Sequence, residues 1–217
     1  MLVSYLCYDT PLQNGVKTMG RPRLHDERTE RELLAAAERL LAAGGMEALS
    51  VRALAEAAGS TTRAVYSVFG GKEGLLRALF REAFRALEAD LRALPLTDDP
   101  AADLVAAGVE GFRGWARAHP ELFRLAFEDA IPRPAEGPAE ETGVQAFGRL
   151  RERVRRCIDA GLIGEGRELE VALSFHALCE GLAVFEGRGR FPLLRGQDPV
   201  SMWRSALTAL VTGYRDR

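Results

Sequence analysis

Histidine and cysteine are scarce in this 217-residue chain, three of each, and their placement excludes several kinds of chemistry. Cys7, Cys157 and Cys179 lie far apart, so they form neither a disulfide framework nor a CxxC zinc pair. Such usage suits a reducing, cytoplasmic setting. His25, His119 and His176 fall in no HExxH motif, and neither GxSxG nor a phosphate-binding loop occurs. An enzyme needs converging nucleophile, base or metal ligands. Catalysis is therefore not expected, and neither is a metal or cofactor. No run of about 18 apolar residues exists, so no membrane span is expected. An excess of one charge is missing too: 29 basic and 31 acidic residues leave a formal charge of −2. That excludes a protein that coats nucleic acid by bulk charge. It does not exclude a local basic face, since a few well-placed Arg and Lys groups suffice for phosphate contacts. Alternating β-branched runs with hairpin turns are absent, as are internal repeats.

What is present is a helical pattern rich in Ala, Leu, Arg and Glu. Met1 to Thr18 has no basic n-region and no helical period, and Asp9 breaks its weak apolar stretch. Met19 opens a segment that reads as a protein start, so 1–18 are expected to be a disordered extension or a misassigned start. A first helix is expected from about Glu27 to Ala43, with Leu33, Ala36, Ala37, Leu40 and Leu41 on one face. Gly44-Gly45 ends it. Ser50 caps a second helix that buries Val51, Leu54, Ala55 and Ala58. Gly59 turns the chain into a third helix, about Thr61 to Phe69, burying Ala64, Val65, Val68 and Phe69. A long fourth helix follows, about Lys72 to Leu94. Further helices are expected at about 100–117, 120–129, 139–161, 166–187 and 199–215, separated by His119-Pro120, a three-proline loop at 131–138 and a loop at 187–199.

Two short amphipathic helices joined through one glycine, after a longer helix, have the form of a helix-turn-helix. The second of the pair presents Thr62, Arg63, Tyr66 and Ser67 outward. A narrow, polar helix face of this kind fits the major groove. Arg63 can donate two parallel hydrogen bonds to guanine O6 and N7. Thr61 and Thr62 can bond phosphates or bases. Tyr66 can reach a phosphate while its ring packs on the scaffold. Ser50 and Arg52 sit at the start of the preceding helix, and Lys72 joins free backbone N–H groups at the start of the fourth; all favour phosphate. Gly20-Arg21-Pro22-Arg23 is a short basic arm, whose Arg21 and Arg23 either suit a minor groove or stand as a solvated tail. From physics alone, a helical interaction module without DNA binding competes; the Thr62, Arg63, Tyr66 and Lys72 set argues against it.

The stretch Leu34 to Leu79 resembles the DNA-binding domain of the TetR family. The resemblance rests on Gly45, Leu49-Ser50, Ala58-Gly59, Tyr66, Phe69, Lys72-Glu73 and Leu75. Arg63 departs from it, since the family often has a small residue there. The resemblance implies an all-α fold of about nine helices. An N-terminal three-helix helix-turn-helix domain with its arm would span 19–71, a connecting helix 72–94, and a ligand-binding, dimerising bundle 100–217. It further implies a homodimer on double-stranded palindromic DNA, paired through the last two helices, and a small-molecule effector that releases a repressor. A regulator without a small-molecule effector is the alternative.

Stripes Val171, Phe175, Leu178, Leu182, Phe185 and Trp203, Ala206, Leu207, Leu210, Val211, Tyr214 fit dimerising helices, or simply the monomer core. Trp115–Phe127 and Phe175–Glu186 resemble a C-terminal domain of family members that carry a Trp-His-Gly signature. His176 and Gly181 are present here, with no tryptophan before them. An apolar effector pocket is expected from Phe112, Trp115, Phe123, Phe127, Phe147, Phe175, His176 and Cys179, although aromatics at helical spacing also serve as plain core. His176 either orients a polar ligand group or is a satisfied core histidine. A Cys157–Cys179 redox switch has no neighbour in sequence to activate a thiol. Deleting residues 1–23 is expected to lower the salt dependence of DNA binding by about two phosphate contacts; an unchanged slope in a salt titration would mark the arm as a solvated tail.

Overall fold

A computed structural model describes residues 24–128, 138–189 and 198–215. The expectations for 1–18, for Arg21 and Arg23, and for the interiors of the two long loops lie outside them. No strand occurs among the described residues, and no helix there is long and apolar enough to cross a membrane. Helix α1 is Leu24–Ala48, α2 Val51–Ala57, α3 Thr62–Phe69 and α4 Lys72–Ala93. The bundle has α5 (Pro100–Ala106), α6 (Arg113–Ala118), α7 (Pro120–Phe123), α8 (Pro138–Asp159), α9 (Glu168–Gly187) and α10 (Pro199–Gly213). A π-helical stretch, Ala107–Phe112, fuses α5 and α6 into one rod, and another, Arg124–Glu128, extends α7. With these continuous rods at 100–118 and 120–128 each taken as one, the described residues form nine helices.

Several expected boundaries move. The first long helix does end where expected: Gly44 and Gly45 leave helical geometry, Gly45 at φ 62°, and a short separate helical turn follows to Ala48. Thr61 caps α3 from outside, and the helix proper begins at Thr62. Pro138 does not close the proline loop; it opens α8, where its missing N–H costs nothing. Left-handed glycines at 161 and 166 stop α8 early and delay α9.

Leu33, Ala36, Ala37 and Leu41 of α1 meet Leu49, Leu54, Val65 and Phe69 in the core of the N-terminal head. Leu40, Val51, Ala58, Val68 and Leu76 only flank that core. Helix α4 belongs to both halves. Leu75, Ala78 and Leu79 are buried at its head end, and Ala83, Leu87 and Leu91 at the other, where α8 packs along it. At about 1.5 Å per residue, its 22 residues span roughly 33 Å. Trp115, Phe175 and Trp203 are the largest fully buried side chains of the bundle.

Three ionic side chains sit inside this apolar packing: Asp103, Arg113 and Arg153. Arg153, only 4% exposed, points at the end of α4 and donates to the carbonyls of Leu91 (2.9 Å), Leu94 (3.2 Å) and Asp103 (3.4 Å). It thereby satisfies last-turn carbonyls that a buried helix end cannot leave bare. Beside it, Asp103 accepts from the Thr97 N–H (2.7 Å), the Thr97 hydroxyl (2.8 Å) and Arg156. Burial pushes this carboxyl up, but the hydrogen bonds from Arg156 and Thr97 outweigh it and hold the pKa below the ordinary carboxylate range. A depressed folded pKa contributes stability above the unfolded value, near pH 4, that is lost as pH falls through the folded value. In urea melts between pH 7 and pH 3, the stability gap between the wild type and Asp103→Asn is expected to narrow on acidification. A constant gap would refute the linkage.

Candidate nucleic-acid interface and effector cavity

The head is built by caps. Ser50 has an extended backbone, and its hydroxyl oxygen accepts from the Ala53 N–H at 3.1 Å. Thr61 does the same for α3, from the Ala64 N–H at 3.1 Å. Each such cap supports a helix by roughly 1 kcal/mol, and each hydroxyl retains a proton to donate outward. Between them Gly59, at φ 59°, makes the turn. Helix α3 then buries Val65 and Phe69 and leaves Thr62, Arg63, Tyr66 and Ser67 exposed. Tyr66 is 57% exposed, and its ring lies on the scaffold at Gly71. Val65 and Phe69 already fill the core side of the helix, so the phenol stands free to reach outward.

Gly74 is a residue that sequence reasoning missed. A Cβ there would lie 1.7 Å from the Phe69 carbonyl oxygen, so only glycine lets α4 begin this close to the end of α3. The pattern Lys72-Glu73-Gly74 carried the signal. Lys72 lies exposed in the first turn of α4, next to the outward face of α3.

Charge on the head is sorted. Arg28, Arg77, Arg81 and Arg85 pair with Glu32, Glu73, Glu30 and Glu82. Arg52, Arg63 and Lys72 are exposed, and no salt bridge engages them among the described residues. Three unneutralised cations thus lie where α2, α3 and the start of α4 meet solvent, as a phosphate-binding face requires, and Arg31 and Arg39 of α1 are likewise exposed without a salt bridge among the described residues.

In the bundle, the expected pocket residues separate into two groups. Phe112, Phe147, Phe175, His176 and Cys179 line an inner cavity of about 40 Å³. Phe84, Leu87 and Leu91 of α4 complete one wall, and these were not among the expected residues. Trp115, Phe123 and Phe127 do not line it. They form an aromatic layer beside it, with Phe127 5.7 Å from the His176 ring and 5.6 Å from Phe84. Phe123 faces the opposite way, into an open groove of about 750 Å³. The physical reason is the fold at His119: Trp115 turns toward α7 and meets Phe123 and Phe127 edge to face, leaving Phe112 to face the cavity. His176 is packed among Phe112, Phe127 and Phe147 and lies 3.8 Å from Glu180. Burial pushes the Cys179 thiol well up, and the Cys157 thiol to about 11. Neither is activated for redox chemistry.

The two expected dimer stripes also divide. Val171, Phe175, Trp203, Leu207 and Val211 are spent inside the subunit, whereas Leu178, Leu182, Phe185, Ala206, Leu210 and Tyr214 are only half-buried.

A three-helix head with capped helices, a polar recognition face and a separate helical bundle defines a DNA-binding regulator. Residues 33–79 match the family described as bacterial regulatory proteins, tetR family, and residues 104–210 match the tetracyclin repressor-like C-terminal domain. The chain belongs to the TetR family of transcriptional regulators, which act as dimers on DNA operators. A Rhodococcus sp. RHA1 protein of unknown function is similar at 27% identity and TM-score 0.76, covering 87% of this chain and 96% of its own. The Streptomyces coelicolor TetR regulator SCO7222 shares the fold at 21% identity and TM-score 0.66, over 85% and 96%. The fatty acid degradation regulator FadR of Bacillus halodurans does so at 17% and 0.68, over 87% and 97%. No curated protein matches the chain in sequence.

Lys72→Ala is expected to weaken binding to all DNA sequences alike and to reduce the slope of log affinity against log salt by about one. Fluorescence anisotropy across a salt series reads both; a sequence-selective loss would reassign Lys72 to base readout.

Proposed function

We propose that this regulator is a repressor that holds a palindromic operator as a homodimer and is released by a small molecule bound in its helical bundle. The observation that carries the reading is the double role of α4. It starts directly beneath the recognition helix α3 and, through Phe84, Leu87 and Leu91, walls the inner cavity. A ligand changes DNA affinity only by preferring one arrangement of the two heads. Recognition helices about 34 Å apart meet successive major grooves. Displacing Phe84, whose ring lies 5.6 Å from Phe127 of the bundle, tilts α4 and moves the head away from that spacing.

In this reading Arg63, Thr62 and Ser67 read bases. Ser50, Arg52, Thr61, Tyr66 and Lys72 hold phosphates, and Arg21 and Arg23 enter the minor groove. The DNA-binding domain spans 19–71, the connecting helix 72–94 and the effector and dimer domain 100–217. Dimerisation uses the half-buried edges of α9 and α10, whose Leu178, Leu182, Leu210 and Tyr214 lack full cover in one subunit. Placement in the Trp-His-Gly type rests on His176 and Gly181 of α9.

Selection of genomic fragments by the purified protein is expected to yield palindromes with half-sites about one helical turn apart. Arg63→Ala should cost about 1–3 kcal/mol at the specific site and relax preference at one base pair. Sequence-blind binding that salt abolishes, unaltered by Arg63→Ala, would sink the proposal.

A further inference from the structure

The inner cavity is too small for an effector. Its 40 Å³ holds a water or two, whereas pockets for drug-sized ligands run to roughly 300–1,000 Å³. The open groove between the α6–α7 corner and the end of α9 has that size, at about 750 Å³.

The groove has an apolar floor and a cationic rim. Ala116, Phe123 and Ala183 form the floor, all buried in the surrounding packing. Arg117, Arg124 and Arg188 stand at the rim with 64%, 50% and 56% of their side chains exposed. Their carboxylate partners Glu186, Glu121 and Glu128 lie deeper, at 16%, 25% and 22%. An entering molecule therefore meets guanidinium groups first.

The glutamate at the back is not available to repel it. Glu186 is held by both Arg113 nitrogens, at 2.9 and 2.8 Å, and by the Trp203 indole N–H at 2.9 Å. By contrast, the Arg117–Glu186 and Arg188–Glu128 approaches are long, 3.5 and 3.8 Å, and exposed. Pairs of that kind are worth little, so both guanidiniums can turn to a ligand carboxylate, which Arg binds with two parallel hydrogen bonds.

Only a layer of rings separates the groove from the inner cavity. Phe123 of the groove lies 6.2 Å from Phe112 of the cavity and 5.3 Å from Phe127, which touches Phe84 of α4. Within that layer the Trp115 indole N–H is buried and has no hydrogen-bond partner among the described residues. A buried donor left unsatisfied costs about 1–3 kcal/mol, and an acceptor on a ligand that parts the rings would relieve it.

We propose that this groove is the effector site and that its ligand is an organic acid with an apolar body. The carboxylate sits on Arg117 and Arg188, with Arg124 beside them, and the body lies on Phe123. The assignment deepens the effector reading above, and it rests on that reading only for its consequence at DNA.

The test compares 4-phenylbutyrate with 4-phenylbutyramide by isothermal titration against the full chain, with tryptophan fluorescence in parallel. The acid is expected to bind about tenfold more tightly than the amide. The double variant Arg117→Gln/Arg188→Gln should reduce the acid to the level of the amide, with an unchanged melting curve. Phe123→Ala should weaken acid and amide alike. Equal binding of acid and amide, undiminished acid binding in the double variant, or no binding of either at millimolar concentration overturns the assignment. Repeating the titration with operator DNA bound separates the two readings. Acid binding without operator release keeps the groove assignment and removes the effector role.

Discussion

Helix α4 is buried at one end against the DNA-reading head and at the other against the bundle, and neither core closes without it. Leu75 and Leu79 fill the space beneath Val65 and Phe69, and Leu87 and Leu91 fill the space beside α8. Close-packed interiors do not deform gradually. A shift of α4 in one core must therefore appear in the other, and this constraint makes the protein capable of linkage between distant sites. Arg153 secures the far end by capping carbonyls that would otherwise be buried without donors. Because Arg153 belongs to α8, the helix that also lines the inner cavity, the cap ties the cavity wall to the connecting helix.

The aromatic layer gives that linkage a material path. Phe123, Phe127, Phe84 and Phe80 follow one another at 5.3, 5.6 and 4.8 Å, from the open groove to the middle of α4. Rings in such contact transmit displacement, because no space lies between them to absorb it. The groove, the layer and the cavity are then parts of one device: a polar mouth, an aromatic partition and an inner void into which rings can move.

Much of the head was legible in the sequence because its determinants are local. A capping hydroxyl, a left-handed glycine and an apolar stripe act within a few residues of one another, so Ser50, Gly59, Val65 and Phe69 announced their roles. The break at Gly44-Gly45 was legible in the sequence, whereas the short helical turn after it was not, since that turn depends on the packing of Met46 beneath it. Gly74 was passed over because its constraint, the carbonyl of Phe69, comes from how α4 meets α3.

The bundle shows the other limit. Helical periodicity says that Phe112, Trp115, Phe123, Phe127, Phe147 and Phe175 are buried; four are, and Phe127 and Phe147 are half-buried. It does not say what each faces. The sequence by itself determined the helices, the exposed polar face of α3 and the family, because those rest on short-range spacing and on motif. Tertiary structure alone decided that Phe84 joins the cavity wall, that Phe123 faces the groove, and that Arg113, Glu186 and Trp203 meet across three helices. Their partners lie up to 73 residues apart along the chain, and no periodicity within a helix encodes which neighbour the folded bundle will supply.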